Sequence, residues 1–149
     1  IMLILMNIEP HKMVGILLIT HDNLGETLLD IANSILGEKT RSIATLNVEQ
    51  SMEIDFVVEK ALITIEQIEN GKGVIILTDI IGATPSNIVR RLITPNKIES
   101  ISGLNLPMLL RAITYQKSEL SDLLKKAEQG GKDGVLKIEQ GFSKSNENK

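Results

Sequence analysis

Aliphatic runs alternate along the chain with segments in which apolar residues recur at helical spacing. The first run, residues 14–19, lacks regular polar alternation, which is typical of a strand buried on both faces of a parallel sheet. A helical pattern follows over residues 24–36. Because strands and helices continue to alternate, the pattern predicts an α/β fold, a doubly wound and mostly parallel sheet with helices on both faces.

Five strands are predicted, at residues 14–19, 42–48, 73–78, 98–102 and 135–139. The helices are predicted to begin at an Asn23–Glu26 capping pair, at Ser51, at Thr84-Pro85, at Pro107 and at Ser118. The last of these helices is predicted to stop at Gly130-Gly131, since paired glycines favour helix ends.

A single folded domain is predicted over residues 13–140. Residues 1–12 are predicted to be an N-terminal extension, disordered or left from a tag, with an extra edge strand as the alternative. Residues 141–149 are predicted to be a disordered polar tail. The apolar run at residues 1–6 is too short to span a bilayer and lacks the features of a signal peptide, so a cytoplasmic location is expected.

Composition narrows the function classes. Charged residues make up 23% of the chain and the net charge is −3, without a basic block, which argues against nucleic acid as the main partner. The chain has no cysteine, which excludes disulfide and thiolate chemistry. No cluster of histidine and carboxylate residues predicts a metal site, and no glycine-rich phosphate-binding motif predicts a nucleotide site.

Two aliphatic strands lead into titratable residues, His21 after the first and Asp79 after the third. In a flavodoxin-like strand order these strands are neighbours, and ligands bind at such strand ends. A carboxylate beside an imidazole holds one ring N–H and leaves the other nitrogen as an oriented nucleophile. Either residue alone is compatible with a simple helix-capping role, but the pair favours a functional site.

A second helix N-terminus follows Asp79, in the sequence Gly-Ala-Thr-Pro-Ser-Asn at 82–87. Gly82 permits close backbone approach to a ligand, and Thr84 and Ser86 offer hydroxyl groups. Since helix N-termini bind anions, this set suits a phosphoryl group. The same residues also suit a plain strand–turn–helix connection with a good cap.

Three segments together resemble the mannose-family enzyme IIA component of the bacterial phosphoenolpyruvate:sugar phosphotransferase system. They are Gly-Ile-Leu-Leu-Ile-Thr-His at 15–21, Asp79 with the 82–87 turn, and Ser-Gly-Leu-Asn-Leu-Pro-Met at 102–108. The resemblance covers about residues 13–140. Asp22 stands where many members of the family have glycine or another small residue, and Ala83 stands where the family's turn often has a second glycine.

The resemblance implies a phosphotransferase in which His21 is transiently phosphorylated and Asp79 hydrogen-bonds it. The phosphocarrier HPr would be the donor and a IIB component the acceptor, with membrane contact only indirect, through a transport complex. Gly82, Thr84 and Ser86 would bind the phosphoryl group, with Asn105 at the rim. No cofactor or metal is implied.

The family fold is five-stranded and usually dimeric, and residues 135–139 are the candidate for an edge strand exchanged within a homodimer.

Three other functions stay open. The chain is also compatible with a regulatory IIA-like protein whose phosphorylation state controls partners without sugar transport. A phosphotransferase subunit of dihydroxyacetone kinase shares the fold and the strand-end histidine, although the Gly-Ala-Thr-Pro turn fits the mannose type better. A non-enzymatic small-molecule binding module would leave His21 unmodified and would explain neither His21 nor its pairing with Asp79.

Overall fold

The computed structural model describes residues 12–37, 40–80 and 84–141. Over these residues the chain forms, in order, β1 (Gly15–His21), α1 (Leu24–Leu36), β2 (Ile43–Val48), α2 (Ile54–Ile68), β3 (Val74–Thr78), α3 (Thr84–Arg90), β4 (Ile98–Ser102), α4 (Leu106–Thr114) and α5 (Leu120–Asp133). The predicted α/β class is confirmed, and the four predicted strands up to residue 102 lie within two residues of the observed ones.

The strands form one parallel sheet in the order β2-β1-β3-β4. The register pairs His21 with Val48 across β1 and β2, and Ile19 with Thr78 across β1 and β3. Because all strands run in the same direction, their carboxyl ends meet at one edge of the sheet. The two central strands therefore bring the residues after Ile19 and after Thr78 side by side.

The sheet separates two aliphatic layers. On one face α1, α4 and α5 pack against side chains such as Ile16, Leu18 and Leu77. On the other face α2 and α3 pack against Leu17, Ile19 and neighbouring residues. Strands β1 and β3 are buried on both faces up to Thr20 and Thr78, which explains why their sequences show no polar alternation.

The fifth predicted strand is wrong for the single chain. Residues 135–139 lie outside helix and strand, and the described residues form a sheet of four strands. Val135, Leu136 and Ile138 are 77%, 79% and 94% exposed. A strand is stable only when a neighbour satisfies its backbone groups, and this segment pairs with no strand among the described residues.

The predicted stop of the last helix at Gly130-Gly131 is also wrong, because α5 continues to Asp133. Both glycines are buried against α4. A Cβ atom at Gly130 would lie 2.6 Å from Arg111 Cβ, and one at Gly131 would lie 2.8 Å from Met108 Cε. The glycines therefore allow close contact between two helices instead of ending one.

The predicted helices are present, but their predicted first residues and capping contacts agree less well with the structure. The first helix begins at Leu24, as expected, but Asn23 makes no side-chain capping bond, and Glu26 accepts a hydrogen bond from Asn47 Nδ2 at 3.1 Å. Ser51 and Ser118 precede the observed starts at Ile54 and Leu120.

The predicted extension at 1–12 and the polar tail at 141–149 lie almost wholly outside the described residues, and stay predictions. Within the described ranges, no helix has the length and apolar character needed to cross a membrane.

Candidate functional site

His21 and Asp79 meet at the carboxyl edge of the sheet, as the sequence predicted. The ring nitrogen Nδ1 of His21 lies 2.8 Å from Asp79 Oδ2, and the backbone N–H of His21 donates to the same oxygen at 3.0 Å. The His21 side chain is 49% exposed, whereas that of Asp79 is 11% exposed. The Asp79 carboxylate is thus largely buried at the edge of the sheet, while the His21 ring lies on the solvent side of it.

Backbone contacts fix Asp79 from several sides. Its other carboxylate oxygen, Oδ1, accepts the N–H of Ile80 at 2.9 Å. Its carbonyl oxygen accepts the N–H of Gly103, at 3.0 Å, from the loop that follows β4. The carboxylate of Asp79 is therefore held by His21 at the end of β1 and by Ile80. The backbone of Asp79 is held by the β4–α4 connection.

Burial raises the pKa of Asp79, but the backbone and side-chain hydrogen bonds from His21 and the backbone hydrogen bond from Ile80 oppose this, and the pKa lies below its ordinary value. Asp79 is consequently ionised at neutral pH. An ionised carboxylate only accepts hydrogen bonds, so the bond to His21 requires a proton on Nδ1. In the neutral imidazole this leaves the lone pair on Nε2, and that nitrogen is free to act as a nucleophile.

The connection that carries His21 is tightly held. Asp22 has a left-handed backbone, with φ of 46°, and its N–H donates to Val48 O at 3.1 Å. The hydroxyl of Thr20 accepts the N–H of Gly25 at 2.8 Å. Sequence reasoning missed Thr20, because a threonine inside a buried strand carries no local capping signal and its contact with Gly25 is visible only in the fold.

The other predicted site residues differ in their exposure and in their location. Thr84 is exposed as the first residue of α3, and Ser86 is buried in the same helix. Gly82 lies outside the described residues. Asn105 lies at the N-terminus of α4, where its Oδ1 accepts from Met108 N at 2.9 Å and its Nδ2 donates to Gly131 O at 3.0 Å. In the single chain Asn105 thus caps α4 and ties it to α5.

Comparison with known proteins identifies relatives of this chain. The family EIIA-man, described as the PTS system fructose IIA component, matches residues 15–128. The mannose-specific EIIAB component of the PTS in Escherichia coli K12 is 27% identical over 125 residues, which are 82% of this chain and 38% of that protein. The chain therefore spans well under half the length of this curated relative.

Solved structures agree on the fold. Phosphotransferase system component EIIA from Streptococcus agalactiae aligns with a TM-score of 0.74 and 26% identity, over 84% of this chain and 97% of that one. The mannose/sorbose-specific IIA subunit from Enterococcus faecalis aligns with a TM-score of 0.78 and 21% identity, over 88% and 98%. Since the family match extends over most of the chain, this protein belongs to the mannose-type enzyme IIA family of the phosphotransferase system.

Proposed function

We propose that His21 accepts a phosphoryl group from HPr and passes it to a IIB component of a mannose-type sugar phosphotransferase system. The observation that carries this proposal is the 2.8 Å contact between His21 Nδ1 and Asp79 Oδ2, which leaves Nε2 on a half-exposed ring. The name of the Escherichia coli relative, which joins EIIA and EIIB, supports a IIB acceptor.

The transfer is an in-line displacement at phosphorus. The Nε2 lone pair forms a bond to phosphorus while the bond between phosphorus and the donor atom breaks, and the electron pair of that bond leaves with the donor. The proton on Nδ1 stays in place, where Asp79 stabilises the positive charge that the ring develops. The second transfer reverses these roles, with an acceptor side chain as the nucleophile and Nε2 as the leaving atom.

Phosphoryl binding is proposed for Gly82, Thr84 and Ser86, with Asn105 at the rim. Thr84 supports this role because its side chain is exposed at the start of α3, after the same strand that leads to Asp79. The amide of Asn105 has two N–H donors, and the bond to Gly131 O uses only one of them. The second donor is thus available to a phosphoryl oxygen without breaking the contact between α4 and α5.

A cytoplasmic homodimer that contacts the membrane only through a transport complex completes the proposal. The segment at 135–139 supports dimer formation, since its apolar side chains are mostly exposed and it pairs with no strand among the described residues. HPr and the IIB component would then reach His21 from the solvent side of the carboxyl edge.

Intact-protein mass spectrometry after incubation with phosphoenolpyruvate, enzyme I and HPr tests the carrier role. We expect one acid-labile phosphoryl adduct on the parent chain and none on His21→Ala. His11→Ala serves as the matched control, since His11 is the second of the two histidines in the chain, and this variant should be labelled like the parent.

The donor must come from the same organism, and its own phosphorylation must be verified in the same spectrum. An unlabelled parent under these conditions would contradict the carrier role. Label that persists on His21→Ala would contradict the assignment of the nucleophile.

A further inference from the structure

We infer that Thr20 is a positioning residue for phosphoryl transfer, and that its hydroxyl holds the His21 connection in the geometry that the reaction needs. This inference rests on the proposed function of His21. Thr20 is fully buried and immediately precedes His21 at the end of β1. Its hydroxyl oxygen, rather than a conventional N-cap side chain, accepts the N–H of Gly25 in the first turn of α1.

The bond from Gly25 to Thr20 closes a ring around the reactive residue. At 2.8 Å it joins the end of β1 to the start of α1, and His21, Asp22, Asn23 and Leu24 lie between its two partners. The predicted capping residue Asn23 contributes no side-chain bond, so Thr20 supplies the side-chain cap of this helix start. Loss of the hydroxyl would leave a buried N–H without its partner.

Gly25 is fitted to this contact. A Cβ atom at Gly25 would lie 3.1 Å from Leu18 Cβ and 3.2 Å from Thr20 Oγ1, closer than side chains ordinarily approach. The absence of a side chain therefore lets α1 come near enough to β1 for the hydroxyl to reach the amide. Thr20 and Gly25 therefore act together: the N–H of Gly25 is the donor, the hydroxyl of Thr20 is the acceptor, and the missing side chain of Gly25 lets the two come close.

The connection passes through an uncommon backbone conformation. Asp22 has a φ of 46°, in the left-handed region, which residues other than glycine adopt infrequently and aspartate more readily than most. The bond from Asp22 N to Val48 O holds the middle of the connection, and Thr20 holds its two ends. Without the Thr20 bond, relaxation of Asp22 toward an ordinary conformation would shift the backbone of His21.

A shift of the His21 backbone would reach the reactive nitrogen directly. The backbone N–H and the ring Nδ1 of His21 share one acceptor, Asp79 Oδ2, at 3.0 and 2.8 Å. Displacing the backbone therefore disturbs the bond between Nδ1 and Asp79, which fixes the tautomer of the His21 ring and the direction in which Nε2 points. Small displacements of a reacting atom have large effects on rate, since in-line transfer depends on alignment.

The test compares Thr20→Val, which keeps the shape and removes the hydroxyl, with Thr20→Ser, which keeps the hydroxyl. We expect Thr20→Val to lower the rate of His21 phosphorylation roughly tenfold, and Thr20→Ser to stay within about twofold of the parent. Ile65→Val, a core truncation in α2 on the opposite face of the sheet, is the control for lost stability alone. Its rate should equal that of the parent.

A second readout does not depend on phosphoryl transfer. Nitrogen NMR of the His21 ring reports which nitrogen carries the proton, and in the parent and in Thr20→Ser this should be Nδ1. Thr20→Val is expected to show a mixed or shifted Nδ1 signal because the bond to Asp79 loosens. Gly25→Ala should give the same change, since its methyl group would push the amide away from Thr20.

Parent-like rates and ring signals in folded Thr20→Val, or in folded Gly25→Ala, would overturn the inference. An equal loss of rate in Ile65→Val would also overturn it, since stability alone would then explain the effect. Absence of phosphorylation in the parent would instead contradict the proposed function, and the ring signals would still decide whether Thr20 positions His21.

Discussion

At the scale of single residues, one oxygen atom connects most of the site. Asp79 Oδ2 accepts from both the backbone and the ring of His21, so it fixes where the residue lies and how its ring is turned. Both groups donate to this oxygen, and such bonds favour the ionised form of the carboxyl group. Hydrogen bonding outweighs burial in setting the pKa of Asp79, and this balance keeps the negative charge next to the ring of His21.

The lowered pKa of Asp79 predicts a pH dependence of stability. A carboxylate whose folded pKa lies below its unfolded value stabilises the fold fully above the unfolded value, about 3.9 for aspartate. That contribution is lost as the pH falls through the lower folded value. We therefore expect the melting temperature to fall in this acid range, and to fall less in Asp79→Asn, which has no carboxyl group to protonate.

Thermal unfolding followed by circular dichroism over a series of acidic buffers measures this difference. Asp30→Asn, which removes an exposed carboxylate from α1, is the matched control and should keep the acid dependence of the parent. An identical acid profile in Asp79→Asn and in the parent would show that the hydrogen bonds to Asp79 do not stabilise the fold.

At the scale of elements, the contact between α4 and α5 depends on glycine. A Cβ atom at Gly130 would lie 2.6 Å from Arg111 Cβ and 2.9 Å from Arg111 Cγ. Alanine has the higher helix propensity by about 1 kcal/mol, but forcing atoms into a packed contact costs roughly 1–3 kcal/mol. Arg111 Cβ is bonded to the backbone and cannot easily move away. We therefore expect the cost of crowding to exceed the gain in helix propensity, and Gly130→Ala to be destabilising.

Urea unfolding of Gly130→Ala against the parent measures this balance. Lys125→Ala, at an exposed position of the same helix, should change the free energy of unfolding by less than about 0.5 kcal/mol. A Gly130→Ala variant as stable as the parent, or more so, would mean that α4 and α5 separate at little cost.

These elements also show how far sequence reasoning reaches. Strands β1 and β3 are predictable because burial on both faces produces a continuous aliphatic run, and His21 and Asp79 then follow from the parallel strand ends. Gly130 and Gly131 mislead because the same residue type ends helices and permits close helix packing, and only the neighbouring helix distinguishes the two. Thr20 was missed because a buried hydroxyl in a strand looks like an ordinary strand residue until its acceptor role is seen.

At the scale of the whole molecule, the sheet that the described residues form ends in an edge strand, β4, whose neighbouring strand is β3. A cavity of about 540 Å³ lies beside it, lined by residues that include Ser100, Met108 and Val135. Open edges invite pairing with another strand. The sequence pattern at 135–139 suits a strand, but the segment pairs with no strand among the described residues, and a second copy that supplies the partner would reconcile the pattern with the fold.

The dimer proposal therefore makes a prediction specific to one face of this segment. In a strand, Leu136 and Ile138 lie on one face and Lys137 on the other. Leu136 and Ile138 are 79% and 94% exposed in the single chain. Burying them against a second copy would stabilise the dimer by several kcal/mol, at about 25 cal/mol per Å² of apolar surface. We expect the parent to be a dimer by size-exclusion chromatography with light scattering, and the double variant Leu136→Asp, Ile138→Asp to be a folded monomer.

Lys137→Asp changes a charge on the opposite face of the same segment and should remain dimeric, which separates a strand-like interface from a general effect of acidic residues. A monomeric parent at micromolar concentration would contradict the dimer. A parent and a double variant that are both dimeric would place the interface elsewhere, and residues 135–139 would then remain an exposed segment with no role in assembly.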